Sequence, residues 1–194
     1  MPELPELEIV QQVLQRRVAG TRIEQVLVLP PGGAIVVRDL TQRGFAQALT
    51  GATIASIVRR KFLLFAFDSP LFLVINPKRT GRLQLAAPGE KRLAETHVVC
   101  ALSSGDELRY VDQKRMGQLY LTRETALVPG FAEMGPEPLE LSLDEFRERL
   151  RPFRGEIKGV LTRGACVAGI GNAYADEILW NARLHPYCKR PSNH

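Results

Sequence analysis

The chain is 194 residues long and 45% hydrophobic, enough for one good core or two small ones. Its formal net charge of +5 favours an anionic partner without naming one. There is no uninterrupted apolar run of about eighteen residues and no basic-then-apolar leader, so a soluble, unexported, cytoplasmic protein with no membrane partner is expected. The three cysteines, Cys100, Cys166 and Cys188, are far apart and form no CxxC pair, which excludes a disulfide framework and a complete zinc site.

The chain opens Met1-Pro2-Glu3-Leu4-Pro5-Glu6-Leu7-Glu8, and these residues support two readings. As a helix start, they offer an early proline and acids that suit the dipole, and Leu7, Val10, Leu14 and Val18 continue at helical spacing to Gly20. As a reactive terminus, loss of Met1 would leave the Pro2 secondary amine beside the Glu3 carboxylate. A terminal amine titrates at about 7.7–8.0, so part of it is neutral and nucleophilic near neutrality. Its iminium adduct would act as an electron sink, with Glu3 in reach as acid or base. Spacing alone favours the helix start, but that reading does not explain why Pro2 and Glu3 lie so near the terminus.

From there to about Leu127 the pattern predicts strands at Gln25–Leu29, Gly51–Arg60, Phe62–Phe67, Leu71–Ile75, Arg82–Ala86, His97–Leu102, Glu107–Asp112 and Gln118–Arg123. Pro30-Pro31-Gly32-Gly33, Asp68-Ser69-Pro70, Pro88-Gly89 and Ser103-Ser104-Gly105-Asp106 punctuate them, and a second helix is expected over Thr41–Leu49. Short strands at this spacing suggest an antiparallel sandwich or barrel. The composition shifts at Val128-Pro129-Gly130 and Gly135-Pro136-Glu137-Pro138-Leu139, after which the pattern is helical. Ser142 and Glu145 form a capping box, and Leu143, Phe146 and Leu150 line one face before Pro152. A further helix begins near Glu156, and a last one follows Asn172 to about Leu184. The fold class is therefore α+β. An N-terminal sandwich domain with its terminal helix is expected over 1–128, a linker over 129–141 and a helical domain over 142–194.

Basic clusters fall at strand ends and turns: Arg59-Arg60-Lys61, Lys78-Arg79 with Arg82, and Lys114-Arg115. Each could equally be a solvated surface. Lys61 stands out because an apolar strand follows it directly. Gly169-Ile170-Gly171-Asn172 joins two helices, and the free N–H groups of the second would suit an anion, with Lys158 and Arg163 nearby. Trp180 and Tyr174 read as core residues, and His97 and His185 as structural rather than metal ligands.

Taken in order, Met1–Glu8, Arg60-Lys61-Phe62-Leu63-Leu64-Phe65, Gly81-Arg82-Leu83, Gly135–Leu139 and Lys158 through Leu179 resemble the formamidopyrimidine-DNA glycosylase / endonuclease VIII family of base-excision repair enzymes. The resemblance spans nearly the whole chain. It implies a β-sandwich domain and a helix–two-turns–helix domain, with damaged double-stranded DNA in the cleft between them. It further implies removal of Met1, attack by Pro2 on C1′ of a flipped nucleotide, protonation by Glu3 and strand cleavage by successive eliminations. By the same resemblance Glu6 supports the site, while Lys61, Lys158, Gly171 and Asn172 hold phosphates around the flipped nucleotide. The implied protein is a bifunctional glycosylase and AP lyase for oxidised bases, monomeric and nucleoid-associated.

Several positions depart from the family pattern. Asn76 stands where the family has histidine, Arg79 replaces the methionine that fills the gap under a flipped base, and Lys114 replaces the arginine addressing the orphaned base. Met116 replaces the wedge phenylalanine, beside Arg115. Lysine lacks the planar fork of arginine, which puts opposite-base preference in question. Family members usually continue into a zinc finger of four cysteines, which this chain does not contain, so no cofactor and no metal site are expected here. These departures keep a second function open, a non-catalytic damaged-DNA-binding paralogue or an inactive fragment.

Overall fold

The computed structural model describes residues 2–189; Met1 with its expected removal, and the end of the 142–194 region, lie outside the described residues. Helix α1 (Leu4–Arg17) buries Leu7 and Leu14 and leads into a sandwich of two sheets. One sheet has the order β1 (Ile23–Val28), β7 (Thr96–Leu102), β8 (Glu107–Asp112), β6 (Gly81–Ala86). The other runs β2 (Val37–Asp39), β9 (Gln118–Thr122), β5 (Phe72–Asn76), β4 (Leu63–Phe67), β3 (Ile54–Arg59). Alternating burial drives this packing: in β4, Leu63, Phe65 and Phe67 face inward, and Leu64 and Ala66 face outward. Both sheets and α1 share one core, to which Val18, Val26, Ile57, Leu73, Val98, Tyr110 and Leu121 belong.

The antiparallel expectation holds for every strand pair except β2 with β9, which is parallel. At three residues, β2 was too short to show alternation. The Pro30–Gly33 punctuation also contains the start of a short helix, α2 (Gly32–Val36). The helix expected from Thr41 begins only at Phe45 (α3, Phe45–Leu49). The Asp39 carboxylate captures the intervening residues, accepting from Thr41 N at 2.8 Å and Gly44 N at 2.9 Å, so local side-chain bonds replace the first helical turn.

The stretch expected as a linker is packed rather than loose. Val128 is buried, and with Phe131 and Met134 it covers Phe62, Val74 and Tyr120 on the outer face of the five-stranded sheet. The helical region follows as α4 (Leu143–Leu150), α5 (Ile157–Leu161) and α6 (Asn172–Asn181). Its own core is small: Leu161, Ala175 and Leu179 are buried, with Phe146, Ile157 and Ile170 against them. The Ser142–Glu145 capping box is present, but Leu143 stays 63% exposed.

One sequence expectation is overturned on α6. Trp180 is 85% exposed rather than core, and Tyr174 is half-buried. Ala175 and Leu179 define the buried face, and a residue one position beyond Leu179 turns about 100° away from it. His97, in contrast, is buried with Nε2 2.7 Å from the Asp112 carbonyl oxygen, a structural contact.

Backbone bonds lock the helical region to the connecting segment. Gly135 N donates to Gly164 O at 2.7 Å, and Ala168 N donates to Pro136 O at 2.9 Å. A Cβ at Gly135 would come within 2.6 Å of the Cys166 carbonyl oxygen, so only glycine allows this approach. Within the helical region, Arg149 of α4 donates to the Ala165 and Cys166 carbonyls at 2.7 and 3.1 Å.

Candidate functional site

Glu3 caps α1 with an extended backbone, and its own N–H donates to Glu6 Oε2 at 2.9 Å. The terminal motif is therefore a helix start, as its spacing suggested. Its side chain, however, serves a different helix. The Glu3 carboxylate crosses to α6 and accepts from Gly171 N at 3.0 Å, Ala173 N at 3.0 Å and Tyr174 N at 2.9 Å. Leu4 N donates to Gly169 O at 2.9 Å beside this junction. A Cβ at Gly171 would overlap the Glu3 carboxylate, and Gly169 adopts φ +83° where it passes Leu4. Both glycines are thus needed to seat the terminus.

This corrects the sequence view of the Gly171-Asn172 turn. The anion at the N-terminus of α6 is the protein's own Glu3, so the Gly171 N–H is not available to a phosphate. Gly171, not Asn172, is the capping position, and Asn172 is the first helical residue with an exposed side chain.

Pro2 and Glu3 line a cleft of about 680 Å³ between the sandwich and the helical region. Lys61, Lys78, Arg79 and Met116 approach from the sandwich, and Thr162, Gly164 and Asn172 from the helical side. Lys61 lies in the turn joining β3 to β4, closed by Arg60 N donating to Phe62 O at 2.9 Å. Phe62 is buried against Phe131, which anchors the turn and leaves Lys61 exposed over Gly164.

Other sequence candidates lie elsewhere. Lys158 is not among the cleft-lining residues; its ammonium is paired with Asp176 at 2.7 Å. Asn76, the last residue of β5, is buried and donates from Nδ2 to Gln118 Oε1 at 3.4 Å, its partner in the β5–β9 register, and it does not line the cleft. Lys114 and Arg115 are exposed on the β8–β9 loop without lining the cleft.

Sequence reasoning missed two residues. Arg59, grouped with a basic surface cluster, is a buried guanidinium bound to Glu8 of α1 at 2.5 Å and to Glu137 of the connecting segment at 2.8 Å. The Arg59 hydrogen bond, with one from Gln12, holds the Glu8 carboxyl below its usual range. The period-2 pattern of β3 was the available signal, since it turns Arg59 inward together with Ile57. The second is Asp112, fully buried at the end of β8. Burial pushes its carboxyl up, but donors from Thr80, Gly117, Lys114 and Tyr110 together outweigh this and leave it below the ordinary value. Gly117 N donates at 2.7 Å and Lys114 N at 3.2 Å.

Among the described residues, no group of three or more His, Cys, Asp and Glu side chains is placed to hold a metal. Cys100 and Cys166 are buried and Cys188 is exposed, so they do not form the cysteine set that a zinc finger requires. No helix among the described residues is long and apolar enough to cross a membrane.

Comparison with known proteins agrees with this fold. A family model of the formamidopyrimidine-DNA glycosylase N-terminal domain matches residues 1–119, and the H2TH domain model of the same family matches residues 134–193. The formamidopyrimidine-DNA glycosylase of Desulfitobacterium hafniense is 39% identical over 191 residues, covering 96% of this chain and 68% of that protein. That of Heliobacterium modesticaldum is 42% identical, covering 96% of this chain and 69% of that protein. The crystal structure of the Lactococcus lactis enzyme, bound non-covalently to DNA containing an AP site, superposes with a TM-score of 0.80 at 31% identity. That match covers 96% of this chain and 72% of the other. The fold is that of DNA-repair glycosylases with an H2TH DNA-binding domain. The chain belongs to the formamidopyrimidine-DNA glycosylase family, and it spans about two thirds of the length of these relatives.

Proposed function

We propose that this chain, once Met1 is removed, is a bifunctional DNA glycosylase and AP lyase that excises oxidised bases from duplex DNA. The observation that carries this reading is the seat of Pro2 and Glu3 in the cleft, with the Glu3 carboxylate held by three N–H groups of α6. A flipped nucleotide entering the cleft brings C1′ to the Pro2 amine, which forms a C–N bond as the bond to the damaged base breaks. The Glu3 carboxylate takes the proton that the Pro2 nitrogen sheds and passes it to the sugar ring oxygen or the departing base. The C1′–O4′ bond then breaks, the ring oxygen leaving as a hydroxyl, and the resulting iminium withdraws electrons from the sugar, so loss of the C2′ proton expels the 3′ phosphate, and a second elimination expels the 5′ phosphate. The fixed Glu3 carboxylate is oriented before the substrate arrives, which favours catalysis by lowering reorganisation.

Lys61 and Asn172 face the cleft from opposite sides and are suited to gripping phosphates beside the flipped nucleotide. Lys158 reaches that role only by leaving Asp176. Arg79, Lys114, Arg115 and Met116 occupy loops on the sandwich rim, where contact with the remaining stack and the unpaired partner base would occur. The structure of the Lactococcus lactis enzyme with FAPY-dG-containing DNA supports an oxidatively opened purine as one substrate class.

Borohydride reduction tests the reading directly. A duplex with an oxidised purine or an abasic site is expected to give a covalent adduct with the Met1-processed protein, at Pro2 by peptide mass. Salt-sensitive binding that persists in Pro2→Gly and Glu3→Gln, with no adduct from the unmodified protein, would instead establish a non-catalytic damaged-DNA-binding protein.

A further inference from the structure

Two loops on the sandwich rim converge on one buried carboxylate. The β5–β6 loop carries Lys78 and Arg79, and the β8–β9 loop carries Lys114, Arg115 and Met116. Asp112 binds both. Its Oδ1 accepts from the Thr80 hydroxyl of the first loop and from Lys114 N of the second at 3.2 Å. Its Oδ2 accepts from Gly117 N at 2.7 Å and from the Tyr110 hydroxyl at 3.4 Å. Thr80 closes the ring, its hydroxyl oxygen accepting from Lys114 N at 3.1 Å. The Tyr110 hydroxyl also sits where a side chain at Gly81 or Gly117 would be, so both loop ends are pressed against the same phenol.

A buried carboxylate with only neutral donors is a costly way to stabilise a sheet, since an apolar residue would suit the core better. All but one of its donors lie on the two loops. Lys78 and Arg115 both hold left-handed conformations, at φ 52°, so each loop is kept in a strained shape beside the side chain it presents. Arg79 and Met116 are exposed and line the cleft that holds Pro2.

Resting on the function proposed above, we infer that Asp112 is a positioning residue for base extrusion. Its carboxylate ties the two loops in one register, so that Arg79 and Met116 enter the gap left by the flipped nucleotide together. Extrusion of a stacked base depends on filling that gap, whereas an abasic sugar leaves the stack at little cost. The tether therefore matters for removing a base and much less for reacting with a site that has already lost one.

The experiment compares one duplex carrying an oxidised purine with the same duplex carrying an aldehydic abasic site at the same position. Asp112→Asn turns an N–H₂ group toward N–H donors and is expected to slow base excision about 30- to 100-fold, in the range that misplacement by about 1 Å produces. Thr80→Val removes only the link between loops and is expected to slow excision about tenfold. Borohydride trapping at the preformed abasic site should change less than about threefold in both variants. Equal losses on the two substrates, or no loss on the oxidised purine, would overturn the inference. If Asp112→Asn does not fold, Thr80→Val decides the matter by the same comparison. Absence of any adduct from the unmodified protein would instead reject the enzymatic reading, and this inference with it.

Discussion

The two walls of the cleft are built on different terms. On the helical side, Glu3 is tied to three backbone N–H groups and two glycines leave it no room to shift. On the sandwich rim, Arg79, Lys114 and Met116 have exposed side chains, and their loops are held elsewhere, by the Thr80 hydroxyl and the Gly117 N–H on Asp112. A proton-transfer group must arrive pre-positioned, because sub-ångström error is costly in a reaction. A side chain that enters a DNA stack must instead stay uncommitted until DNA arrives.

The largest expected effect tests the reaction wall at its centre. Acetylating the Pro2 amine should lower strand cleavage on the order of a thousandfold or more, measured in single turnover on an abasic duplex. Cleavage within tenfold of the unmodified protein would remove Pro2 from the mechanism.

Gly171→Ala tests whether that wall tolerates movement. The added methyl displaces Glu3, and single-turnover excision should fall about a hundredfold, with little change in duplex binding. A normal rate would mean that the seat of Glu3 on α6 is not needed for catalysis.

Arg59→Met tests the joint between the walls. It strands Glu8 and Glu137, whose side chains are 34% and 10% exposed, and should cost about 3 kcal/mol in urea unfolding. The low end of the range for a broken buried pair is expected because water screens Glu8. A Glu8→Gln, Glu137→Gln, Arg59→Met triple variant should recover much of the loss.

Asp112 gives the rim a pH signature. Its folded pKa lies below the ordinary value of about 3.9, so its stabilising effect is present above that pH and is lost as pH falls through the folded pKa. The melting-temperature gap between the unmodified protein and Asp112→Asn should hold constant from neutrality down to about pH 5, then narrow in acid. A gap that widens in acid would mean the sign is wrong.

The smallest effect concerns the rim side chains. Arg79→Met should change excision less than about tenfold while reducing the slope of log binding against log salt by about one. An unchanged slope would show that the Arg79 cation does not reach phosphate or base in the complex.

Most of the fold was legible because it rests on local patterns. The alternation in β4, the Ser142–Glu145 capping box and the Leu7–Leu14–Val18 spacing each name their element from residues a few positions apart. Where a side chain replaced the expected local pairing, the reading failed, as with Asp39 ahead of α3. It also failed where exposure depends on what covers a face, as with Trp180. The candidate site was legible as a set of residues and much less so as a set of contacts. Pro2, Glu3, Lys61, Arg79, Met116 and Asn172 do meet around one cleft, but Asn76 turns away from it and Lys158 is engaged by Asp176.

The sequence by itself determined the order of elements, the terminal Pro-Glu pair, the glycine-bearing turn between helices and the presence of Arg79, Lys114 and Met116 at strand ends. Only the tertiary structure decided how these are used. Glu3 finds its donors 168 to 171 residues away, Arg59 joins a helix to a segment 78 residues beyond it, and Asp112 meets Thr80 across 32 residues. Periodicity and capping act within a few residues, whereas a buried charge takes whichever partner the closed chain brings to it. For Glu3, that partner is the N-terminus of α6.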